Sequence, residues 1–187
     1  MCKINFRCVV FYFGKECNFL SKLRISGIVP ESIVDGPGIR FVIFAQGCVH
    51  HCKGCHNPST FDLNGGTLIE VDELMSQIKK NPLLKGVTFS GGEPFLQAGV
   101  FAEIAKQCHL LGLDVISYTG YTFEKLVSGF DEHPEWQQLL SNVDILIDGP
   151  FIQEKKSLML LFRGSSNQRI LNAKVSLSER QPVLMPV

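Results

Sequence analysis

The sequence predicts an α/β fold: a partial, open β/α barrel built on a mainly parallel sheet. Two observations predict it. Strand-like and helix-like segments alternate from residue 39 onward, the pattern that gives parallel strands with helical crossovers. A full eight-fold barrel needs ~250 residues, and this chain has 187, so the barrel is expected to stay incomplete.

The elements follow in order. Ile39 to Ala45 is rich in β-branched and aromatic residues and leaves the turn Asp35-Gly36-Pro37-Gly38, so it reads as the first strand. Val71, Leu74, Met75 and Ile78 fall at i, i+3, i+4 and i+7, one face of a helix. Glu70, Asp72 and Glu73 at its start and Lys79 and Lys80 at its end suit the macrodipole, and Pro82 stops it. Val87 to Ser90 is a short strand running into Gly91-Gly92. Val100, Phe101, Ile104, Ala105, Cys108 and Leu111 trace a second amphipathic helix closed by Gly112. Val115 to Ser117 is a strand, and Thr122 to Leu140 is helical with a break near Gly129 to Pro134. Val143 to Ile147 is the next strand, and Gln168 to Val175 is a candidate for one more. Residues 1–21 stand outside this scheme as an N-terminal extension of unknown role, and residues 22–187 form the domain.

Composition narrows the function classes. Lys+Arg and Asp+Glu number 18 each, a balance that argues against a broad nucleic-acid-binding face. No apolar run approaches the ~20 residues of a membrane span. The short apolar run Cys8 to Phe13 ends at Gly14-Lys15-Glu16 without a small-residue cleavage site, so it does not read as a signal peptide. A cytoplasmic, reducing location is expected, where the seven cysteines are poor candidates for disulfides and good ones for metal ligation.

Three of them crowd together in Gly47-Cys48-Val49-His50-His51-Cys52-Lys53-Gly54-Cys55-His56-Asn57-Pro58, in the loop leaving the C-terminal end of the first strand. Such a C-x3-C-x2-C loop can wrap an iron–sulfur cubane on Cys48, Cys52 and Cys55 and leave one iron open. A Cys3His zinc site completed by His50, His51 or His56 is the alternative. Cys2, Cys8 and Cys17 lack cluster-like spacing, and Cys108 falls on the apolar stripe of its helix, a core position. The second strand ends in Ser90-Gly91-Gly92-Glu93-Pro94, where paired glycines let backbone approach a ligand and Glu93 adds a carboxylate. The next two strands end in Ser117-Tyr118-Thr119-Gly120 and Asp148-Gly149-Pro150. Ligand-like residues at successive strand ends on one rim are what argue for a site.

At these residues the chain resembles the radical S-adenosylmethionine superfamily, and within it the activators of anaerobic ribonucleoside-triphosphate reductase. The resemblance rests on Ile33 to Gly38, Gly47 to Asn57, Ser90 to Pro94, Tyr118 to Tyr121, Leu146 to Gly149 and Arg163 to Gln168. It implies a barrel of the radical S-adenosylmethionine type. It also implies a [4Fe-4S] cluster on Cys48, Cys52 and Cys55, with S-adenosylmethionine on the open iron. The expected activity is reductive cleavage of that cofactor, leaving a glycyl radical on the reductase, with a low-potential electron donor such as flavodoxin. It further implies that Gly54, Cys55 and His56 wall the nucleoside and that Gly92 offers backbone to the methionyl amino group. Glu93, Thr119 and Asp148 are candidate polar contacts, and Arg163 and Asn167 are candidates for cofactor or partner. A β-branched side chain at Gly92 is expected to weaken cofactor binding and spare cluster assembly, since all three thiolates lie on another loop. A sister activity, activation of another glycyl-radical enzyme such as pyruvate formate-lyase, is the alternative within the class. A non-catalytic zinc or iron–sulfur protein is the alternative outside it.

Overall fold

The computed structural model describes residues 22–186, so the extension 1–21, with Cys2, Cys8 and Cys17, lies outside the described residues. The elements are β1 (Lys22–Ser32), β2 (Arg40–Ala45), β3 (Thr67–Glu70), α1 (Val71–Lys79), β4 (Gly86–Gly91), α2 (Ala98–Leu110), β5 (Asp114–Tyr118), α3 (Phe123–Ser128), α4 (Pro134–Leu140), β6 (Ile145–Asp148), β7 (Arg169–Asn172) and α5 (Ala173–Glu179). They build one open seven-stranded sheet in the order β3-β1-β2-β4-β5-β6-β7. The α/β class is as the alternation predicts. The parallel part is confined to β2-β4-β5-β6, because β1, β3 and β7 all join antiparallel.

The flanks are where the sequence pattern is weakest. β1 is interrupted by Gly27 and Pro30, and its pairing with β2 shifts register between Ile25 and Gly27 and again before Ser32, as expected where a strand carries glycine or proline. β3 has four residues that merge into the first turn of α1. The last predicted strand ends early: residues from Ala173 turn into α5, capped by the Asn172 side chain accepting from Val175 N.

Side-chain alternation divides the sheet into two faces. Phe41, Ile43, Ala45, Val87, Phe89, Val115, Leu146 and Leu171 point into the main core beneath the helices. There they meet Leu74, Met75 and Ile78 of α1, Phe101, Ile104, Ala105 and Cys108 of α2, and Leu139 and Leu140 of α4. Cys108 is fully buried, as its stripe position predicts. The opposite face carries a smaller cluster, Ile116, Ile147 and Ile170, with Tyr118, Ile145 and Phe162 packed on it.

Buried charge fastens the sheet at both ends. At the N-terminal ends of the parallel strands, Arg40 is completely buried. Its guanidinium donates to Thr88 Oγ1 (2.7 Å) and the Val87 carbonyl (2.7 Å) and pairs with Asp114 (2.6 Å). The Asp35-Gly36-Pro37-Gly38 turn lies over it: a Cβ at Gly36, whose φ is +139°, would come within 2.6 Å of Arg40 Cδ. At the C-terminal ends, Asp148 is buried on β6. It accepts from Phe123 N of α3 (2.7 Å) and from Arg169 Nε of β7 (2.9 Å), with a second contact to Arg169 Nη2. Arg169 also grips both oxygens of Glu124 at 2.9 and 2.8 Å, and this pairing holds the Glu124 carboxyl down at about 2.

A carboxyl with a depressed folded-state pKa stabilises the fold above its unfolded value, ~4.3, and loses that contribution as pH falls toward its folded value. Glu124 is more than half exposed (55%), so solvent screening keeps this contribution to ~1 kcal/mol or less. Asp148 is 1% exposed and is bonded by Phe123 N and Arg169, so weakening its buried hydrogen bonds costs about 1–3 kcal/mol. Urea denaturation at neutral pH should therefore rank Asp148→Asn below Glu124→Gln in stability. Equal losses would contradict the placement of the buried charge.

Candidate functional site

The cysteine loop leaves β2 through Gly47 and is pinned at its root. Gln46 N donates to Arg24 O (3.0 Å), Gly47 N to Thr60 O (2.9 Å), Gly92 N to Ala45 O (2.8 Å) and Glu93 N to Gly47 O (2.8 Å). The Gln46 side chain donates to the Ser59 and Asp62 carbonyls at 3.2 and 2.6 Å, closing the far end of the loop. Between these anchors the chain turns tightly, with positive φ at Gly47 (94°), His51 (46°) and Gly54 (71°). Cys55 N donates to Cys52 O at 3.1 Å. Cys48, Cys52 and Cys55 are all free thiols, the first buried and the other two half-buried. Burial pushes the Cys48 thiol up, and the nearby Glu93 charge adds to this, while the backbone amides of His50 and His51 pull it down.

Glu93 organises the space behind the loop. Its carboxylate is fully buried. Oε2 accepts from His50 Nε2 (2.6 Å), Thr119 Oγ1 (2.9 Å) and Gly120 N (2.9 Å), and Oε1 accepts from Phe95 N (3.0 Å). A buried carboxylate is tolerated when it is matched in this way, and here the donors come from three different segments. The other side of the His50 ring meets the Tyr121 ring edge-on, with centroids 4.5 Å apart. Gly120 leaves the room this needs, since a Cβ there would lie 2.3 Å from His50 Cδ2.

The three cysteines open into one cavity of about 140 Å³, shared with His50, His56, Phe61, Gly91, Gly92, Thr119, Gly120 and Phe151 among others. The ends of β2, β4, β5 and β6 thus meet on one rim, as the sequence predicts. Of the residues singled out from the sequence, Cys55, His56, Gly92 and Thr119 line this cavity. Gly54 packs on Gln153, whose Cδ lies 2.9 Å from where its Cβ would be. Glu93 and Asp148 lie deeper, with their carboxylate oxygens engaged by donors of the chain itself. Arg163 Nη1 donates to Gln168 O (3.1 Å), and Asn167 Nδ2 donates to Pro150 O (2.8 Å), so both brace the segment after β6. Ser90, Tyr118, Phe151 and Gln168 are also in the wall, and of these Phe151 carries no local motif that marks it.

This donor set fits an iron–sulfur cluster. Among the described residues, no three His, Cys, Asp or Glu side chains converge as they would on a single ion. A cubane places its irons apart and takes a separate thiolate for each, which three free thiols around one cavity can supply. The histidines of the loop are engaged elsewhere: His50 with Glu93, His51 against Phe61 at 4.8 Å and His56 against Phe151 at 5.0 Å.

Gly92 has a second constraint that its motif conceals. A Cβ on it would lie 2.2 Å from the Gly47 carbonyl oxygen and 3.1 Å from that of Ala45. The expectation that a side chain at 92 spares cluster assembly rests on the thiolates lying on another loop, and this contact ties that loop to Gly92, because Gly47 is the residue before Cys48. Gly92→Val should destabilise the chain by about 1–3 kcal/mol through overpacking. It should also raise the alkylation rate of Cys48 in the metal-free protein, followed by peptide mass analysis. Unchanged stability and an unchanged Cys48 rate would mean that β4 and the loop are not in contact.

Comparison with known proteins adds the family. Residues 34–171 match the model of the 4Fe-4S single cluster domain. The anaerobic ribonucleoside-triphosphate reductase-activating protein of Vibrio cholerae is 36% identical over 151 residues, 75% of this chain and 92% of that protein. The protein of the same name from Salmonella typhi is 33% identical over 154 residues, 78% and 96% of the two chains. The pyruvate formate-lyase-activating enzyme of Clostridium pasteurianum is 35% identical over 130 residues, covering 66% of this chain and 50% of that enzyme. Matched across its cysteine loop and its parallel sheet, and covering nearly the whole length of the first two relatives, the chain belongs to the 4Fe-4S single cluster domain family, in the group of anaerobic ribonucleoside-triphosphate reductase-activating proteins.

Proposed function

We propose that this chain activates an anaerobic ribonucleoside-triphosphate reductase by generating a glycyl radical on it, using S-adenosylmethionine at a [4Fe-4S] cluster held by Cys48, Cys52 and Cys55. The observation that carries this reading is the cavity in which three free thiols on one loop face the glycine-rich ends of the parallel strands. The open sheet with its working rim at those ends suits a partial barrel of the radical S-adenosylmethionine type. Residues 22–187 form the catalytic unit and residues 1–21 an appended segment.

When bound, the cluster and S-adenosylmethionine supply one electron, cleavage of the S–C5′ bond and a carbon radical that takes hydrogen from a glycine Cα. The chain's own residues bind, orient and enclose. Cys48 is the buried anchor of the ligand set, and the turn through Gly54 brings Cys55 back beside Cys52. Gly54, Cys55 and His56 form the wall beside the nucleoside, and the Gly92 backbone serves the methionyl amino group. Thr119 borders the same space. Glu93 and Asp148 act from behind it: Glu93 fixes His50, Thr119 and Gly120, and Asp148 fixes β6 to α3 and β7. Phe61, Tyr118 and Phe151 give the cavity apolar walls, which help to exclude water and stray hydrogen donors. A low-potential carrier such as flavodoxin would deliver the electron.

Pyruvate formate-lyase is the alternative partner. The reductase is favoured because the alignment takes in 92% and 96% of two reductase activators and half of the pyruvate formate-lyase activator.

Cys48→Ala, Cys52→Ala and Cys55→Ala should each lose cluster iron and visible colour after anaerobic purification, and cofactor cleavage should fall to background. Cys108→Ala, altered deep in the helix core, should retain its iron. Iron content and cleavage at wild-type level in any of the three loop variants would contradict the ligand assignment.

A further inference from the structure

Between β6 and β7 the chain projects a loop whose base is fixed and whose tip is apolar. Lys156 pairs with Ser165 in an antiparallel bridge, Ser166 N donates to Lys155 O at 2.9 Å, and Tyr118 Oη donates to Phe162 O at 2.8 Å. Gln168 Oε1 accepts from Gly164 N and Ser165 N at 2.9 and 3.2 Å. From this base Leu158 and Met159 stand 91% exposed and Leu161 60%, and on the neighbouring turn Ile33 and Val34 are 77% and 72% exposed. Single exposed apolar residues are ordinary; a group gathered on one projecting loop and the turn beside it marks an interaction surface.

The location of the group says what it meets. Val34, Leu160 and Phe162 line a cavity of about 380 Å³, together with Asp35 and Arg163. That cavity shares His56, Asn57, Ser90, Tyr118, Phe151 and Gln168 with the cysteine cavity. The loop that bears the apolar tip therefore borders, through Leu160 and Phe162, a cavity that adjoins the one holding the three thiols. Lys155 and Lys156 at the loop base are exposed and make no ion pair among the described residues.

We propose that Leu158, Met159 and Leu161, with Ile33 and Val34, form the docking surface for the radical-accepting protein. The segment that binds there is apolar and flanked by acidic side chains that face Lys155 and Lys156. This inference rests on the proposed function, which requires a glycine Cα of a macromolecule to enter the cavity; the protein that carries it must then contact the rim. A second copy of the chain seated on the same rim would cover the entrance that the substrate needs. Apolar anchors at the centre of such a contact carry most of the affinity, and the lysines steer the approach.

The test compares the full-length, cluster-loaded chain with its Leu158→Ser/Met159→Ser/Leu161→Ser variant and with Lys155→Glu/Lys156→Glu. The readouts are binding to anaerobically purified ribonucleoside-triphosphate reductase and cofactor cleavage with a chemical reductant in the absence of that protein. The triple variant should bind at least about tenfold more weakly while its cleavage without the reductase stays at the wild-type rate. The lysine variant should bind more weakly at low salt, with the difference shrinking as salt rises. Wild-type affinity in the triple variant would overturn the docking surface and leave the proposed function standing. Loss of self-association with unchanged affinity for the reductase would overturn it too, reassigning the patch to a contact between copies. A wild-type chain that cleaves the cofactor yet binds no reductase would sink the partner reading, and the docking surface with it.

Discussion

A single buried carboxylate sets where the cysteine loop sits. Glu93 is fully removed from water, and a charge so placed is stable only when donors surround it. Those donors are His50 from within the loop, Phe95 N from the turn after β4, and Thr119 Oγ1 with Gly120 N from the end of β5. Moving any one segment strands the charge, so the loop, β4 and β5 are held in one mutual position. These contacts hold the loop at its frame, Asn57 N donates to Cys55 Sγ at 3.3 Å within it, and all three thiols line the cavity.

Close backbone approach completes the arrangement. Ala45 and Gly91 are register partners at the ends of β2 and β4, and a Cβ on Gly91 (φ +92°) would fall 2.6 Å from Ala45 N. Gly92 then touches the Gly47 carbonyl, and its amide donates back to Ala45 O. Both glycines are thus demanded by the neighbouring backbone. Asp148 plays at β6 the part that Glu93 plays at β4, gathering α3 and β7 around a buried charge. Arg40 does the same at the opposite end of the sheet, beneath the turn that precedes β2. The helices bury the apolar face, and the placement of the strand ends falls to these charges.

Much of this was legible in the sequence where periodicity or spacing was strong. The stripe Val71, Leu74, Met75, Ile78 gave a helix that buries those residues. The break between Gly129 and Pro134 separates α3 from α4, and the C-x3-C-x2-C spacing located the thiols. Of the antiparallel flanks, only β7 was legible, within the Gln168 to Val175 candidate, and its passage into α5 at Ala173 was not. Gly27 and Pro30 disguise β1, and β3 is too short to alternate. Pairings between distant residues were hidden for a different reason. His50 read as a candidate metal ligand and Glu93 as a candidate polar contact to the cofactor, and their pairing 43 positions apart depends on the parallel register of β2 and β4. Arg40 looked like an ordinary strand residue, although its burial is what holds the Asp35 to Gly38 turn.

The chain joins a family whose members hold an iron–sulfur cluster, and its own residues supply three thiols, a fixed loop and an adjoining cavity open at an apolar rim. The most direct test of the activating function is electron paramagnetic resonance of the reductase after anaerobic incubation with the loaded chain, S-adenosylmethionine and a low-potential reductant. The account predicts a glycyl-radical doublet on the reductase that requires all three components and collapses when the reductase's glycines are deuterated at Cα. Cleavage of the cofactor with no radical on the reductase, or a radical whose doublet ignores that deuteration, would contradict it.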